Sequence, residues 1–173
     1  MLEEKELQSI KQLLDTAENN IRQARALLFS TEVKNKAKSL DLIADQNVVE
    51  GVFDGENMIG PDGRVHLVPA NYASKSKLIP GDILKLTVQD NGGFIFKQIG
   101  PVKRRKIIGV LEETSAGKHI INYEGTKYRI LTASVTYFKA EPGDKMVCLV
   151  PEKGESEWAA VENVLEKTDR NEE

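Results

Sequence analysis

Two segments of this chain carry the same succession of short motifs, and this repetition limits the folds that it can adopt. A Gly-Val pair followed by a large apolar residue precedes, further along, a Pro-Gly-Asp and an alternating apolar run. The first motif lies at residues 51–53 and 109–111, and the second at residues 80–82 and 142–144. Between them, Ala73-Ser74 is echoed by Ala133-Ser134. We infer that one folding unit is present twice.

Each copy has the pattern of five short β-strands. Asp-Gly, Asn-Gly and Glu-Gly pairs punctuate runs rich in Val, Ile, Tyr and Phe, which is the turn chemistry of closely spaced hairpins. In the first copy, strands are expected near residues 48–54, 58, 64–68, 83–88 and 94–99. In the second copy, they are expected near residues 107–112, 118–123, 127–131, 145–150 and 158–164. The sequence therefore predicts a mainly β fold from residue 47 onward.

The repeated Pro-Gly-Asp predicts a type II turn before the fourth strand of each copy. Proline presets the second position of such a turn, glycine supplies the positive φ of the third, and the Asp can accept backbone N–H bonds. Aligning the copies at this turn places Cys148 in register with Leu86. Reactive thiols need exposure and a cationic neighbour, so we expect Cys148 to be buried and inert. Because it is the only cysteine, no internal disulfide is expected.

Five short strands with this turn before the fourth resemble the OB-type barrel, and the turn itself resembles the GD box of cradle-loop barrels. The resemblance covers about residues 47–165. A helix feeding two such units is also similar in layout to the N-terminal region of proteasomal ATPases. No Gly-x-x-x-x-Gly-Lys-Ser/Thr motif occurs here, so no ATPase activity is implied. The resemblance implies two tandem five-stranded OB-like barrels, or alternatively one interlocked cradle-loop barrel, that bind oligonucleotides or proteins.

The N-terminal segment predicts an amphipathic helix over residues 1–30. Its apolar residues alternate spacings of three and four, the a/d heptad pattern that keeps one face toward a partner helix. This heptad seam consists of Leu7, Ile10, Leu14, Ala17, Ile21, Ala24 and Leu28. Leu13 and Leu27 widen it. The seam is expected either to self-associate as a coiled coil or to pack on the chain's own β units.

The other divisions of the chain follow from composition. A linker is expected at residues 31–46, the two repeats at residues 47–102 and 107–166, a basic joint at residues 103–106, and a polar tail at residues 167–173. The apolar runs are too short to cross a bilayer, and the acidic N-terminus lacks a secretory signal pattern. A cytoplasmic location is therefore expected.

Positive charge is concentrated at the joint, although the net charge of the chain is −3. The joint consists of Lys103, Arg104, Arg105 and Lys106, and Lys75, Lys77 and Lys97 are expected nearby. Cations at this density can contact successive phosphates of a nucleic acid, and aromatic residues on the strands could stack on its bases. These seven residues are the candidate contacts for a nucleic acid or a protein partner. The alternative is a solubilising hinge.

No catalytic, cofactor-binding or metal-binding residues are expected. His66 and His119 are the only histidines, and neither has a Cys or His at metal-ligand spacing. The sequence favours a non-enzymatic oligomeric scaffold that acts through its β units, with a protein partner slightly favoured. An RNA- or ribosome-binding protein that uses the basic joint is the alternative. A small-ligand or enzymatic role is the distant alternative.

Overall fold

The computed structural model describes residues 4–168. The chain is mainly β, with a long N-terminal helix and two five-stranded antiparallel sheets, which is the fold class that the sequence predicted. The helices are α1 (Glu4–Lys38), α2 (Ala70–Lys75) and α3 (Thr132–Phe138). Unit 1 contains α2 with β1 (Val48–Phe53), β2 (Asn57–Ile59), β3 (Val65–Leu67), β4 (Ile83–Val88) and β5 (Phe94–Gly100). Unit 2 contains α3 with β6 (Arg104–Glu113), β7 (His119–Tyr123), β8 (Thr126–Arg129), β9 (Lys145–Pro151) and β10 (Ala160–Glu166).

The two units share one topology, which confirms the repetition predicted from the motifs. Their strand orders are β3-β2-β1-β4-β5 and β8-β7-β6-β9-β10. Each unit has its own core, with Phe53, Met58 and Leu84 buried in unit 1 and Leu111 and Ile121 buried in unit 2. Within residues 4–168 no strand ladder joins the two sheets. The chain therefore forms two units and not one interlocked barrel.

Both sheets are open, so neither forms a closed barrel. Their five-strand arrangement nevertheless fits the predicted layout. In unit 2 the sheet edges meet at a single parallel bridge between Arg129 and Trp158. There the backbone N–H of Arg129 donates to the Glu157 carbonyl at 2.7 Å, and that of Ala159 donates to the Arg129 carbonyl at 2.9 Å. The described residues of unit 1 show no ladder between β3 and β5.

Short helices stand where the sequence predicted only a loop between the third and fourth strands of each unit. Both α2 and α3 are followed by a lysine in the left-handed conformation, Lys77 at φ 51° and Lys139 at φ 50°. These lysines are 62 residues apart, the offset of the two Pro-Gly-Asp motifs. Ser74 and Ser134 are 60 apart. The repeated Ala-Ser pairs are therefore not structural counterparts, although the motifs on either side of them are.

Helix α1 extends to Lys38, so the expectation that it ends near residue 30 and is followed by a linker from residue 31 is wrong. Its last turns dock on unit 1, where Val33 and Ala37 are buried against Val52 and Ile59. Only these two residues of α1 are buried. Two small apolar residues make a weak periodic signal, and for this reason the pattern of residues 31–38 did not predict a helix.

The docked face of α1 lies opposite the heptad seam. Val33 and Ala37 follow Ala24 and Leu28 by nine residues, which at about 100° per residue places them on the other side of the helix. The large apolar side chains of the seam are between 43% and 60% exposed. The alternative in which the seam packs on the chain's own β units is therefore not what the described residues show.

The glycines of the repeated Gly-Val motif are required by close packing within each sheet. A Cβ on Gly51 would lie 2.6 Å from the carbonyl oxygen of Ile59, and one on Gly109 would lie 2.8 Å from that of Asn122. Both contacts join the first strand of a unit to its second strand. Glycine marks such close backbone approaches in strands.

Candidate interaction surfaces

The twin Pro-Gly-Asp turns have the predicted type II geometry. The φ angles of Gly81 and Gly143 are 97° and 98°. The backbone N–H groups of Asp82 and Asp144 donate to the carbonyls three residues earlier at 3.1 Å and 3.0 Å. Both Asp side chains are completely buried. The sequence therefore predicted the turn and the use of its carboxylate correctly.

The Asp82 carboxylate joins three segments of the chain. Its Oδ2 accepts hydrogen bonds from the Ile79 backbone N–H at 2.9 Å and from Gln98 Nε2 at 3.0 Å. Its Oδ1 accepts from the Val102 backbone N–H at 2.9 Å and from Arg104 Nη2 at 2.6 Å. One buried group thus connects the turn, strand β5 and the start of unit 2.

Asp144 repeats this pattern in unit 2. Its Oδ2 accepts from the Glu141 backbone N–H at 2.9 Å. Its Oδ1 accepts from the backbone N–H of Thr168 at 2.8 Å and from its Oγ1 at 3.1 Å. Thr168 follows the last strand of unit 2 as Val102 follows the last strand of unit 1. The Asp of each turn therefore holds the end of its own sheet.

Burial raises the pKa of Asp82 above its ordinary value. The backbone N–H groups of Ile79 and Val102 and the charge of Arg104 act in the opposite direction, because they stabilise the carboxylate. Each carboxylate oxygen of Asp82 accepts two hydrogen bonds from the protein, and the side chain is buried. We therefore assign Asp82 a structural role.

Arg104 is committed to the boundary between the units. Besides its ion pair with Asp82, it donates from Nη1 to the Lys77 carbonyl at 3.0 Å and from Nε to the Val102 carbonyl at 3.2 Å. Its side chain is 22% exposed. A guanidinium held by a buried carboxylate and two carbonyls has few donors left for a ligand.

The rest of the basic joint does not form one patch. Arg104–Lys106 open strand β6, so residues 103–106 are not a separate joint as expected. Lys106 Nζ lies 3.0 Å from Glu162 Oε2. The guanidinium carbon of Arg105 lies 5.8 Å from the centre of the Tyr123 ring. Lys103 is exposed and lines a groove beside α1. Successive strand residues point to opposite faces, which separates these charges.

The three outlying lysines are spread over unit 1. Lys75 is exposed in the last turn of α2. Lys77 is half-buried, and its carbonyl accepts the Arg104 bond described above. Lys97 is exposed on β5, opposite Lys85 in the strand register. Of the seven candidate contact residues, Lys77 and Arg104 are joined by a hydrogen bond, through the Lys77 carbonyl.

The two units pack against each other through contacts that the sequence did not predict. Ile79, at the turn of unit 1, is buried with Leu149 and Ala160 of unit 2. Ser74 Oγ and Ser134 Oγ lie 2.8 Å apart, which joins α2 to α3. The turn residue that corresponds to Ile79 in unit 2 is an exposed glutamate. The apolar residue at this turn position in unit 1, where unit 2 has a charged residue, is the sequence feature from which the contact between the units could have been predicted.

Trp158 forms another part of this boundary. A Cβ on Gly55 would overlap the indole ring, so glycine is required there. The guanidinium carbon of Arg129 lies 4.2 Å from the centre of the Trp158 ring, which is a cation–π geometry. Arg129 Nη2 is 3.9 Å from Glu56 Oε1 in unit 1. The tryptophan, the only one in the chain, thus contacts both units.

A groove of about 500 Å³ lies between the end of α1 and the two units. On its wall, Lys36 Nζ donates to the Gly81 carbonyl at 2.7 Å. Burial lowers the pKa of Lys36, and the negative charge of Asp82 partly opposes this. Glu32 and Glu155 also line the groove. Lys36 therefore holds α1 to the Pro-Gly-Asp turn of unit 1. No pattern in the sequence indicated this contact.

Apolar side chains are exposed at both edges of the unit 1 sheet. On β3, Val65 is 60% and Leu67 is 81% exposed. On β5, Phe94, Ile95 and Ile99 are exposed. Edge strands with apolar side chains are common sites of protein contact, because a partner can cover both their side chains and their backbone groups.

The cysteine and the histidines lie in different surroundings. Cys148 is fully buried in the core of unit 2, as expected, and burial raises the pKa of its thiol to about 12. His66 is half-buried on β3, and its Nε2 has no hydrogen-bond partner in the protein. His119 Nδ1 lies 3.5 Å from Thr132 Oγ1.

Across residues 4–168, no helix combines the length and the apolar character that crossing a membrane requires. In the same residues, no group of three or more His, Cys, Asp or Glu side chains is placed to hold a metal ion. The expected polar tail at residues 167–173 lies outside the described part of the chain after Thr168. Comparison with protein-family models, with curated proteins and with solved structures finds no match for this chain.

Proposed function

We propose that this protein is a non-enzymatic, cytoplasmic scaffold that self-associates through the heptad seam of α1 and binds a protein partner through its two β units. The observation that carries the proposal is that the regular apolar seam of α1 is exposed, although the end of the same helix is docked on unit 1. Leu14 is 60% and Ile21 is 54% exposed, while the opposite face of the helix docks on unit 1. Exposed apolar stripes of this kind mark interaction sites.

The anchoring of α1 favours a scaffold over a loosely tethered helix. Lys36 holds the helix to the turn of unit 1, and Arg25 lies 3.8 Å from Glu155 of unit 2. Because both units contact the helix, an assembly formed by the seam would hold the units in a defined arrangement. The similarity to the N-terminal region of proteasomal ATPases remains one of layout.

Unit 1 favours a protein as the partner. Its two edge strands expose apolar side chains, among them Leu67 and Phe94, whereas two of the four residues of the basic joint already pair with carboxylates. Nucleic-acid binding depends mainly on cations that are available to phosphates. Binding of a protein partner at the edges of unit 1 would therefore account for the apolar side chains that are exposed there.

Affinity purification of the tagged full-length chain tests this proposal. We expect partners that survive nuclease treatment and that are lost with Leu67→Glu or Phe94→Glu. The matched control is Gln89→Glu, which adds the same single negative charge at an exposed polar position between β4 and β5. If nuclease removes every partner, the protein-binding proposal is wrong.

RNA binding through the basic joint is the second candidate, because Lys103 is exposed and Arg105 lies beside an aromatic ring. The test is the anisotropy of a fluorescent single-stranded RNA with the variant Lys103→Ala/Arg105→Ala. Arg104 is left intact, since its loss would disturb Asp82. RNA binding predicts a salt slope lower by about 1.4, at about 0.7 per lost phosphate contact.

The matched control for the RNA test removes the same charge from α1, with Lys5→Ala/Lys34→Ala. Both of these lysines are exposed and distant in sequence from the joint. A slope that falls equally in both double variants, or an absence of binding at low salt, would exclude a specific role for the joint.

A further inference from the structure

We infer that the helices α1 of two copies pair antiparallel, so that the β units lie at opposite ends of a central coiled coil. This inference rests on the proposed self-association and adds the orientation of the two chains. It is carried by the sizes of the seam residues, by the charges beside the seam, and by the face on which the β units are attached.

Residue sizes along the seam fit an antiparallel pair. With Leu7, Leu14, Ile21 and Leu28 at a, the d positions are Ile10, Ala17 and Ala24. In an antiparallel pair an a residue faces a d residue of the partner. One register then sets Leu7 against Ala24, Leu14 against Ala17, and Ile10 against Ile21. Every layer between residues 7 and 24 holds either a leucine with an alanine or two isoleucines, while Leu28 would face Glu3 beyond these layers. The six layers therefore differ less in volume than those of a parallel pair, and none of them contains only alanine.

A parallel pair would place each seam residue against its own copy. Two layers would then contain only alanine, at Ala17 and Ala24, between layers of paired leucine or isoleucine. Helices at a constant separation leave voids beside paired alanines, and protein interiors do not tolerate such voids without cost. Only the antiparallel orientation places each of these alanines against a leucine.

The charges that flank the seam favour the same orientation. Lys11 and Glu18 occupy successive e positions, and e positions face each other in an antiparallel pair. In the register set by the seam, Lys11 of one copy lies beside Glu18 of the other. Symmetry makes this contact twice. Both side chains are exposed in the single chain.

The attachment of the β units permits the arrangement. Val33 and Ala37 dock on unit 1 from the side of α1 opposite the seam. The centre of the antiparallel pair falls between residues 15 and 16, about 22 residues from the end of each α1. At 1.5 Å per residue, the two docked ends would lie about 65 Å apart. The dimer would then present two copies of the partner-binding edges on opposite sides.

Cross-linking of variants that each add one cysteine to the seam tests the orientation. Leu7→Cys and Ala24→Cys are made in the full chain, given tags of different size, mixed and treated with a short bismaleimide. The antiparallel pair predicts a product between the two variants and none within either. A parallel pair would keep residues 7 and 24 about 25 Å apart and would link each variant to itself. Wild type is the control, since buried Cys148 should not react.

A charge exchange gives an independent readout. Lys11→Glu and Glu18→Lys should each raise the dimer dissociation constant about tenfold, because each creates two like-charge contacts. The double variant should return to within about twofold of wild type. In a parallel pair Lys11 lies beside Glu6 of the partner, so Glu18→Lys would not compensate.

The outcomes separate the two proposals. Products within each variant, or a double variant that is not restored, would overturn the antiparallel orientation and leave self-association standing. A chain that sediments as a monomer would overturn both.

Discussion

At the scale of single residues, charge that the sequence assigned to a ligand surface is partly used inside the protein. Arg104 belongs to a run of four basic residues, which indicates an exposed patch when read from the sequence alone. Its partner Asp82 is 22 positions earlier, and no local pattern connects them. The sequence predicted that Asp82 accepts backbone N–H bonds in its turn. It did not predict the contacts with Gln98 and Arg104, because these depend on how the sheet continues into unit 2.

Asp82→Ala should lower the free energy of unfolding by about 3 kcal/mol. It would leave the Arg104 guanidinium and the Ile79 and Val102 backbone N–H groups without their acceptor. Urea denaturation measures the change. Asp62→Ala is the control, since Asp62 pairs with Arg64 at 3.3 Å on the surface and should contribute less than about 1 kcal/mol. Equal effects of the two changes would contradict the structural role of Asp82.

Cys148 should not react with thiol reagents in the folded protein at pH 8. Its thiol is fully buried, and burial raises its pKa to about 12, so the thiolate fraction and the access are both small. The rate of reaction with a chromogenic disulfide reagent, followed with and without urea, is the measurement. Rapid reaction without urea would show that unit 2 is packed differently.

At the scale of elements, the sequence predicted those whose signal is local. The strands near the Asp-Gly and Pro-Gly-Asp turns were expected within a few residues of their positions, because turn chemistry and alternation are short-range properties. Helices α2 and α3 were missed, since six or seven residues are too few for a clear period of 3.6. The last turns of α1 were missed because their support comes from unit 1.

Gly81→Val and Gly143→Val should each destabilise the protein by about 1 to 3 kcal/mol. Both glycines have a φ near 97°, which a β-branched residue adopts only with strain. Thermal and urea unfolding measure the effect. Gly93→Val is the control, because the φ of Gly93 is not positive and only flexible side chains surround it. Neutral effects at both turns would mean that the repeated turn is not a structural requirement.

At the scale of the whole molecule, the repetition of motifs predicted two similar units but not how they associate. The boundary depends on Ile79, Trp158 and the contact between Ser74 and Ser134. These residues differ between the copies or serve different positions in them, so comparing the copies cannot reveal the boundary. The heptad seam was readable from the sequence, whereas its accessibility required the position of α1 on unit 1.

The central claim is that the exposed seam of α1 joins copies of this chain. Sedimentation velocity at micromolar concentrations tests it with wild type, Leu14→Asp and the control Gln12→Asp, which adds the same charge on the other side of the helix. We expect wild type and Gln12→Asp to sediment as oligomers and Leu14→Asp as a folded monomer with unchanged β circular dichroism, because an aspartate at a seam position is desolvated only in the assembly. A monomeric wild type, or a Leu14→Asp variant that assembles as wild type does, would contradict the claim.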